Sequence, residues 1–272
     1  MTAAIAAAPS VPGDSQGPVL LRSDADGVAT LTLNRPQARN ALSMALMGAL
    51  QDQLDAIRED PGVRAVVLGG AGPAFCAGHD LKEMRADPSR EATEAVFRTC
   101  ARLMLSIARL PQPVIARVHG IATAAGCQLV ATCDLAICAD TARFATPGVQ
   151  IGLFCSTPMV ALSRAVPRKA ALEMLLVGEP IEAAEALRIG LVNRVVPATE
   201  LNAAVSALAT RIAGKARRVL AIGKEAFGRQ IEMGLEEAYG YTAEVMTRNM
   251  AMADAREGID AFLAKRPPRW EP

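Results

Sequence analysis

Aromatic residues are few in this chain, and its charges nearly cancel. Phenylalanine, tryptophan and tyrosine make up 3% of the 272 residues, and 29 basic side chains are balanced by 28 acidic ones. A nucleic-acid-binding protein would carry a basic face, so we expect no nucleic-acid partner. No apolar run approaches the roughly 20 residues needed to cross a bilayer, so we expect no membrane partner either.

Histidine is also scarce, and the six cysteines lack the spacing of a metal site. The cysteines stand at positions 76, 100, 127, 133, 138 and 155 and form no CxxC pair, and neither histidine lies at zinc-ligand spacing from them. Most of them lie within apolar runs, which indicates buried free thiols and no metal site. Reduced thiols predict a cytoplasmic location.

Composition and pattern divide the chain into three parts. Residues 1–17 are rich in alanine, proline, serine and glycine, which cannot bury a core, so they are predicted to form a disordered tail. This stretch lacks the basic and apolar regions of a secretory signal. The remainder is long enough for one large core and an appendage, and we divide it into a core over residues 18–198 and a helical region over residues 199–272.

Strands dominate the first half of the chain. Apolar residues at helical spacing predict a helix after Ser43, interpreted as its N-cap, and another over Glu91–Leu110. Alternating or β-branched runs followed by turn residues predict strands at Gly27–Leu33, Val63–Leu68, Pro113–Val118, Leu135–Cys138, Arg143–Ala145 and Leu191–Val196.

Helices dominate the second half, from Pro158 onward. This α/β pattern by itself is compatible with a doubly wound sheet followed by a helical domain. The spacing of apolar residues predicts helices at Met159–Val166, Lys169–Val177, Ala183–Arg188, Leu201–Ala213, Ala216–Glu232 and Leu235–Met252.

Two small-residue loops are the most informative local features. One lies in Gly72–Met84, GPAFCAGHDLKEM; the other lies in Pro113–Asp134, where we predict a strand ending at Gly120, a turn over Ala122–Gly126 and a helix beginning near Cys127. Such turns let N–H groups at a helix N-terminus approach a ligand oxygen and stabilise its negative charge. Each loop alone favours a simple tight turn, but the two together, in this order, favour a ligand site.

In combination these segments strongly resemble the crotonase superfamily, the enoyl-CoA hydratase/isomerase fold, from about Val19 to the C-terminus. The motifs GHDL, ATAAGCQL, FATPG and GLFCSTP are most similar to one subgroup, enoyl-CoA hydratase domain-containing protein 3 and its bacterial relatives. The resemblance implies a spiral of ββα turns and C-terminal helices that assemble a homotrimer or a dimer of trimers. It also implies an acyl-CoA or enoyl-CoA thioester as substrate, with no further cofactor.

The resemblance further implies an oxyanion hole, a pair of donors that stabilises a thioester oxygen as it becomes negative. The donors would be the backbone N–H groups of His79 and Ala125. The His79 side chain would either relay a proton as a neutral imidazole or bond locally and position the loop. His119 is interpreted as a satisfied core or loop histidine.

The carboxylates expected in this family are missing. Gln128 and Gly148 stand at the positions of the two catalytic glutamates of hydratases. Neither residue can exchange a proton as a carboxylate does, although Gln128 can orient a water or a thioester through its amide. Ordinary hydration is therefore not expected from this sequence.

Two polar residues, Cys155 and Ser156, follow in a loop where one branch of the superfamily, the 4-chlorobenzoyl-CoA dehalogenases, carries a nucleophile. They are interpreted as ligands of the acyl group, or as a nucleophile if the pKa of the thiol is lowered. The favoured alternative is that Ser156 or Thr157 is a helix N-cap before Pro158.

Contacts to coenzyme A map, by the same resemblance, onto backbone groups and three cations. The backbone groups would meet adenine and pantetheine, and the cations would meet phosphates, Lys265 those of a neighbouring subunit. The alternative for each cation is a solvated surface. The substrate-binding residues predicted in this way are Ala77, Gly78, Asp80, Leu81, Gly126, Arg35, Lys82 and Lys265.

Two functions from different classes stay open. The first is an enzyme that acts on an acyl-CoA thioester by oxyanion stabilisation, with atypical proton handling. The second is a non-catalytic thioester-binding or scaffold protein. A carboxylate or an activated thiol in the folded pocket would support the first, and a pocket without either would support the second.

Overall fold

The computed structural model describes residues 17–271. All of the predicted tail except its last residue therefore lies outside the described residues. The strands are β1 (Leu20–Ala25), β2 (Val28–Leu33), β3 (Ala65–Gly70), β4 (Ala74–Cys76), β5 (Val114–Val118), β6 (Ile121–Thr123), β7 (Leu135–Ala139), β8 (Arg143–Ala145), β9 (Ile181–Glu182) and β10 (Arg194–Val196).

These strands form two sheets. The larger has the order β1-β2-β3-β5-β7-β10 and the smaller the order β4-β6-β8-β9. Except for the antiparallel pairs β1–β2 and β8–β9, neighbouring strands are parallel. From β3 to β8, successive strands alternate between the larger and the smaller sheet, so the chain winds as a spiral. The predicted ββα spiral is confirmed, because a doubly wound fold would place all these parallel strands in one sheet.

The helices fill the connections and dominate the second half, which confirms the predicted α/β class. No helix in the described part of the chain is long and apolar enough to cross a bilayer. The helices are α1 (Met44–Glu59), α2 (Leu81–Ala86), α3 (Arg90–Ala108), α4 (Ala125–Thr132), α5 (Pro158–Ala165), α6 (Arg168–Val177), α7 (Ala183–Arg188), α8 (Leu201–Ala213), α9 (Arg217–Gln230), α10 (Leu235–Met250) and α11 (Ala253–Leu263).

The sequence explains where α1 begins and which side it buries. Ser43 is its N-cap, as predicted, and the Ser43 Oγ accepts a hydrogen bond from the N–H of Leu46 at 3.2 Å. This bond satisfies one of the N–H groups that lack a partner in the first turn of a helix. Leu50, Leu54 and Ile57 continue the helical spacing and are buried in the main core, where α1 packs on α3.

Helix α8 covers a face of the larger sheet. Its residues Val205 and Ala209 are buried together with Val67, Ile115 and Ile137, which lie on β3, β5 and β7. Beyond α8, α9 packs on α10 and α10 on α11. The helical region predicted from residue 199 therefore begins with a helix that shares a core with the sheet.

Several elements were not predicted: β1, β4, β6, β9, α2 and α11. The predicted turn over Ala122–Gly126 is wrong, because Ile121–Thr123 is a strand and the next helix begins at Ala125 rather than near Cys127. Strands as short as β4 and β6 show no periodicity in sequence. They are set by pairing with each other and with β8.

Candidate functional site

The candidate site lies where three strands of the smaller sheet end. The strands β4, β6 and β8 are parallel neighbours, so their carboxyl ends meet at one edge of the sheet. Ligands of parallel α/β sheets commonly bind outside the carboxyl ends of the strands. The segments that follow these ends carry His79 after β4, Ala125 and Gln128 after β6, and Thr146 and Gly148 after β8.

The loop after β4 is fixed by backbone hydrogen bonds. The N–H of Leu42 donates to the carbonyl of Gly78 at 2.7 Å, and the N–H of Asp80 donates to the carbonyl of Leu42 at 3.1 Å. This pairing makes a parallel bridge between Leu42 and His79. In such a bridge the N–H of His79 points away from Leu42, and within residues 17–271 it donates to no acceptor.

The turn from β6 into α4 places a second N–H group at the same edge. The N–H of Ala124 donates to the carbonyl of Ala145 on β8 at 2.9 Å, and Ala124 has φ 49° and ψ −118°. A positive φ at a residue other than glycine is strained and persists only where the surroundings impose it. Ala125 is the first residue of α4, and its N–H has no acceptor among the described residues, as is usual in the first helical turn.

Glycines let the two N–H groups come together. A methyl group on Gly78, which has φ 92°, would lie 2.9 Å from Ala124 Cβ and 3.4 Å from Ala125 N. A methyl group on Gly126 would lie 2.1 Å from the carbonyl oxygen of Cys76 at the end of β4. Both positions therefore require glycine. Two backbone donors held in this way can stabilise negative charge on one oxygen without reorganisation.

The imidazole of His79 is neutral near pH 7. Burial lowers its pKa from the ordinary value of 6.5 to about 4. The ring stacks edge-on against Phe97, with centroids 5.3 Å apart, and its Nε2 atom is buried with no hydrogen-bond partner in the described structure. The predicted local bond through the imidazole is therefore not seen at Nε2. The proton-relay interpretation stays a prediction.

The other histidine has a structural contact. His119 Nε2 lies 2.8 Å from the carbonyl oxygen of Gly72, which agrees with the interpretation of a loop histidine. Its Nδ1 atom is buried without a partner among the described residues.

The two positions of the expected glutamates differ in character. Gln128 is buried on α4, and its Oε1 atom has no partner in the described structure. At Gly148 the space for a side chain is already occupied: a methyl group there would lie 2.8 Å from the carbonyl oxygen of Leu153 and 2.9 Å from Cys155 Sγ. Cys155 thus fills the place that a residue larger than glycine would need.

The predicted cap at the start of α5 is confirmed in position but not as a side-chain hydrogen bond. Thr157 occupies the N-cap position, but its side chain makes no capping bond. Ser156 is exposed, and its hydroxyl donates to the carbonyl of Phe154 at 3.4 Å. Burial raises the pKa of the Cys155 thiol, so at neutral pH this thiol is not an activated nucleophile.

Arg35 and Asp80 bind each other. Arg35 Nη2 lies 2.9 Å from Asp80 Oδ2, and Arg35 Nη1 donates to the carbonyl of Ala41 at 2.6 Å. Burial raises the pKa of Asp80, but bonds from Arg35 and from the N–H groups of Glu83 and Lys82 outweigh it, so the pKa is below its ordinary value. The structure gives both side chains a role in fixing the loop, and a phosphate contact by Arg35 stays a prediction.

The remaining predicted contacts divide between the site and the surface. Ala77, Gly78 and Gly126 lie at the sheet edge described above. Leu81 and Lys82 are exposed in the first turn of α2, and Lys265 is exposed after α11. The contribution of Lys265 to a neighbouring subunit stays a prediction.

Two residues of the site were missed from the sequence. Thr146 is buried, its hydroxyl has no partner within the described residues, and it follows β8 directly. A polar residue at the carboxyl end of a buried strand was a usable signal for it. Ala124 gave no signal, because alanine rarely adopts a positive φ.

Comparisons with known proteins identify the family of this chain. The sequence profile of the enoyl-CoA hydratase/isomerase family matches residues 23–272. The Xenopus laevis protein "enoyl-CoA hydratase domain-containing protein 3, mitochondrial" is 48% identical over 93% of this chain and 86% of its own. The Homo sapiens protein of the same name is 48% identical over 90% of this chain and 81% of its own. An enoyl-CoA hydratase structure from Mycobacterium smegmatis has a TM-score of 0.91 and 57% identity, covering 93% of this chain and 99% of that one. The predicted resemblance is confirmed.

The predicted cytoplasmic location is wrong. The Xenopus laevis and Homo sapiens relatives are both named mitochondrial. The prediction was based on reduced cysteines, and five of the six are indeed buried. Free thiols persist wherever the surroundings are reducing, so they cannot identify one compartment among several.

Proposed function

Since this chain belongs to the enoyl-CoA hydratase/isomerase family, we propose that it binds an acyl-CoA or enoyl-CoA thioester and polarises the thioester carbonyl between the N–H groups of His79 and Ala125. The observation that carries the proposal is the close approach of Gly78 to Ala124 and Ala125. This approach supports the proposal, because His79 directly follows Gly78 in the chain and neither the His79 N–H nor the Ala125 N–H has an acceptor within the described residues. Losing one such donor typically costs about a hundred- to a thousandfold in rate.

We further propose that this site hydrates enoyl-CoA thioesters slowly. Gln128 and Gly148 supply no carboxylate, the Asp80 carboxylate is bound by Arg35, and the imidazole of His79 is a weak base with a pKa of about 4. A positioned acid or base is typically worth about 10²–10⁴ in rate, and two groups that act as a unit are not additive. Hydration of crotonyl-CoA is therefore expected several orders of magnitude below that of an ordinary hydratase.

The test measures binding and turnover on the same protein. Calorimetry with butyryl-CoA reports binding, and absorbance of the enoyl thioester reports hydration of crotonyl-CoA. Gly78→Ala is expected to abolish binding, because its methyl group would push the two donors apart. Gly228→Ala, in the last turn of α9 where a methyl group meets nothing within 4 Å, is the matched control and should bind like the wild type.

Two results would contradict the proposal. If the wild-type protein binds neither thioester, the proposed thioester site is wrong. A wild-type protein that hydrates crotonyl-CoA at the rate of an ordinary hydratase contradicts only the slow reaction, and it would identify His79 or a thiol as an unrecognised proton carrier.

A second candidate, a thioester-binding protein without catalysis, is favoured by the state of the thiols. Burial raises the pKa of Cys127 to about 12 and also raises that of Cys155. Neither residue is thus a ready nucleophile. Binding without turnover over a panel of acyl-CoA and enoyl-CoA thioesters would support this candidate, and turnover of any of them above the uncatalysed rate would reject it.

The phosphates of coenzyme A are proposed to meet Lys82 and Lys265, both of which are exposed. Lys82→Ala and Lys265→Ala should each weaken acyl-CoA binding. The affinity should also fall as salt rises, because exposed charges are screened within about 10 Å at 0.1 M salt. Lys169→Ala, another exposed lysine on α6, is the control. Equal affinity of Lys82→Ala and the wild type by calorimetry would remove Lys82 from the site.

We also propose a homotrimer or a dimer of trimers. The support is a set of large apolar side chains on α10 and α11 that a single subunit leaves exposed, and contiguous exposed apolar surface is typical of subunit interfaces. These side chains are Leu235, Tyr239, Met246, Met250, Phe262 and Leu263.

A further inference from the structure

Arg117 is a half-buried cation without a counter-charge in the described chain. It lies on β5, and its guanidinium makes one hydrogen bond to a described residue, from Nη1 to Asn202 Oδ1 at 2.8 Å. Burial lowers the pKa of this guanidinium. Three other partly buried cations, Arg22, Arg35 and Lys224, each pair with an aspartate. A charge withdrawn from water without an opposite charge is costly, so Arg117 is suited to bind an anion.

Gly69 on the neighbouring strand makes room for the guanidinium. A methyl group on Gly69 would lie 2.6 Å from Arg117 Nη2 and 2.8 Å from Arg117 Nε. Gly69 lies inside β3, next to β5 in the larger sheet, and it is not among the glycines with a positive φ. Its backbone would therefore accept a side chain, and it is the guanidinium that excludes one. Because glycine weakens the interior of a strand, this position favours the seating of Arg117 over the stability of the sheet.

The donors around Arg117 collect at the start of α8. Asn202 lies in the first turn of this helix, which begins at Leu201 without a side-chain cap. The Oδ1 atom of Asn202 accepts from Arg117, and its Nδ2 amide donates to no acceptor in the part of the chain that the structure describes. The N-terminus of a helix also carries partial positive charge. Glu200, directly before α8, is exposed and does not pair with Arg117. The guanidinium, the amide and the helix end thus all favour negative charge at one place.

The charge of Arg117 also acts on His119, two residues further along the chain. Burial lowers the pKa of His119, the contact with the carbonyl of Gly72 raises it, and the charge of Arg117 lowers it further. An anion that neutralises Arg117 should therefore raise the pKa of His119. The chain has two histidines, and the other, His79, has a pKa of about 4. The titration of His119 can therefore be followed separately.

This place is separate from the proposed thioester site. Arg117 and His119 precede β6, whereas Ala125 and Gln128 follow it. Arg117 therefore lies before the amino end of β6, and the proposed thioester site lies at its carboxyl end.

We propose that Arg117 and Asn202 form a second binding site, which takes a small oxyanion with a phosphate or carboxylate group. The planar guanidinium presents parallel N–H groups that match two oxygens of such a group, and the amide of Asn202 adds a further donor. The inference goes beyond the proposed function, because it concerns a different ligand at a different edge of the fold.

The experiment titrates the whole chain with inorganic phosphate and, separately, with acetate, while sodium chloride keeps the ionic strength constant because salt screens exposed charges. Calorimetry measures the affinity, and NMR of the His119 ring measures its pKa. The wild type should bind at least one of the two anions to saturation, and the bound anion should raise the pKa of His119. The anion that binds more tightly identifies the class of ligand.

Two variants test the assignment of the residues. Arg117→Met removes the charge and keeps an unbranched apolar stem, and it should weaken binding by about tenfold to a hundredfold, as expected for hydrogen bonds to a charged group. Asn202→Asp should abolish binding, because a carboxylate beside Arg117 then supplies the counter-charge. Asn202 is exposed, and an acidic residue is favourable in the first turn of a helix, so this variant tests the proposal even where Arg117→Met folds poorly. The matched control is Arg102→Met, which removes an exposed arginine from α3 and should bind like the wild type.

Several results would overturn the proposal. If the wild type binds neither anion to saturation, the site does not exist. If phosphate and acetate bind equally well to the wild type, Arg117→Met and Asn202→Asp, the anion lies elsewhere. Butyryl-CoA affinity should be the same in all these proteins, and a loss confined to Arg117→Met would assign Arg117 to the thioester site instead. If the wild type binds no anion and Arg117→Met has a lower mass in sedimentation, another copy of the chain supplies the counter-charge. A failure of thioester binding in the wild type would leave the result of the anion titration unaffected.

Discussion

At the scale of single residues, the site depends on backbone conformations that its sequence does not favour. Ala124 holds φ 49° and ψ −118°, a region that costs a residue with a Cβ atom about 1–3 kcal/mol. The bond from its N–H to Ala145 and the packing of Gly78 maintain this conformation. This conformation turns the chain sharply after β6, so that α4 starts with its N–H groups at the carboxyl edge of the smaller sheet.

Relieving this strain should make the protein more stable. Ala124→Gly is expected to raise the free energy of unfolding by about 1 kcal/mol, since glycine adopts a positive φ without a steric penalty. Urea unfolding followed by circular dichroism measures the change. The control is Ala207→Gly at an exposed position inside α8, which should lower stability by about 1 kcal/mol. Equal losses in both variants would mean that Ala124 is not strained.

His79 should make folding stability depend on pH. As the pH falls through about 6.5 the unfolded imidazole takes up a proton, whereas the folded one does so only near 4. The free energy of unfolding therefore falls as the pH is lowered from about 6.5 to about 4, and the loss is about 2 kcal/mol at about pH 5. Urea unfolding near pH 7 and pH 5 should show a loss larger by this amount in the wild type than in His79→Gln. Identical pH dependence in the two proteins would contradict the lowered pKa.

Gly148 should be intolerant of any side chain. Gly148→Ala places a methyl group within 3 Å of Leu153 O and Cys155 Sγ, and overpacking of this kind costs about 1–3 kcal/mol. The loss should be smaller in a Cys155→Ala background, because one of the two clashing atoms is then absent. Gly223→Ala in α9, where a methyl group meets nothing within 4 Å, should be neutral or stabilising. A fully tolerated Gly148→Ala would contradict the observed packing.

The clash at Gly148 also limits any attempt to introduce glutamates at positions 128 and 148. Gln128→Glu alone is expected to recover little hydration. Gly148→Glu with Gln128→Glu should recover more only if the loop around Cys155 moves, since the space beside Gly148 is occupied.

At the scale of elements, one largely buried but not fully enclosed lysine joins the C-terminal helices to the spiral. Lys224 on α9 lies 2.6 Å from Asp134 Oδ2, and its Nζ also donates to the carbonyls of Ile107 and Gln112, each at 3.2 Å. Ile107 lies in the last turn of α3, where carbonyls have no partner in the helix. Asp134 in turn accepts from the N–H of Val114 at 2.7 Å. A single ammonium group thus ties α9 to the end of α3 and to the starts of β5 and β7.

Removing the Lys224 ammonium group should weaken the packing of α9 on the spiral. Lys224→Met keeps the apolar stem and leaves Asp134 unpaired, and because the lysine side chain is only 12% exposed we expect a loss of about 2–3 kcal/mol. Arg229→Met, on the same helix, removes an exposed pair with Glu225 and should cost less than about 0.5 kcal/mol. Hydrogen exchange should show α9 opening first in Lys224→Met. Equal stability of the two variants would show that the Lys224–Asp134 pair adds nothing to the free energy of unfolding.

At the scale of the whole molecule, the proposed trimer depends on the apolar side chains that α10 and α11 leave exposed. Phe262 is 82% exposed in a single subunit. Phe262→Glu should therefore leave the folding of the subunit intact but dissociate a trimer, because a charge buried in an interface is costly. Sedimentation velocity measures the mass, and Leu21→Glu on β1 is the control that should remain assembled. A wild-type protein that is a stable monomer at micromolar concentration would contradict the trimer.

The sequence by itself determined the family, the α/β class and most of the larger elements. Runs such as α1 and α3 bury apolar residues at a regular spacing, and this periodicity is present in the chain before it folds. The motifs around His79 and Gln128 were also sufficient to locate the two loops that meet at the edge of the smaller sheet. Local chemistry and local spacing carry this information.

Only the tertiary structure decided how these parts meet. The short strands β4 and β6 exist because they pair with each other, and the strained turn at Ala124 exists because Ala145 and Gly78 impose it. The occupied space beside Gly148 and the unpaired Thr146 hydroxyl are likewise contacts between segments distant in sequence. Such features depend on what lies opposite a residue in space, and no pattern along the chain records that.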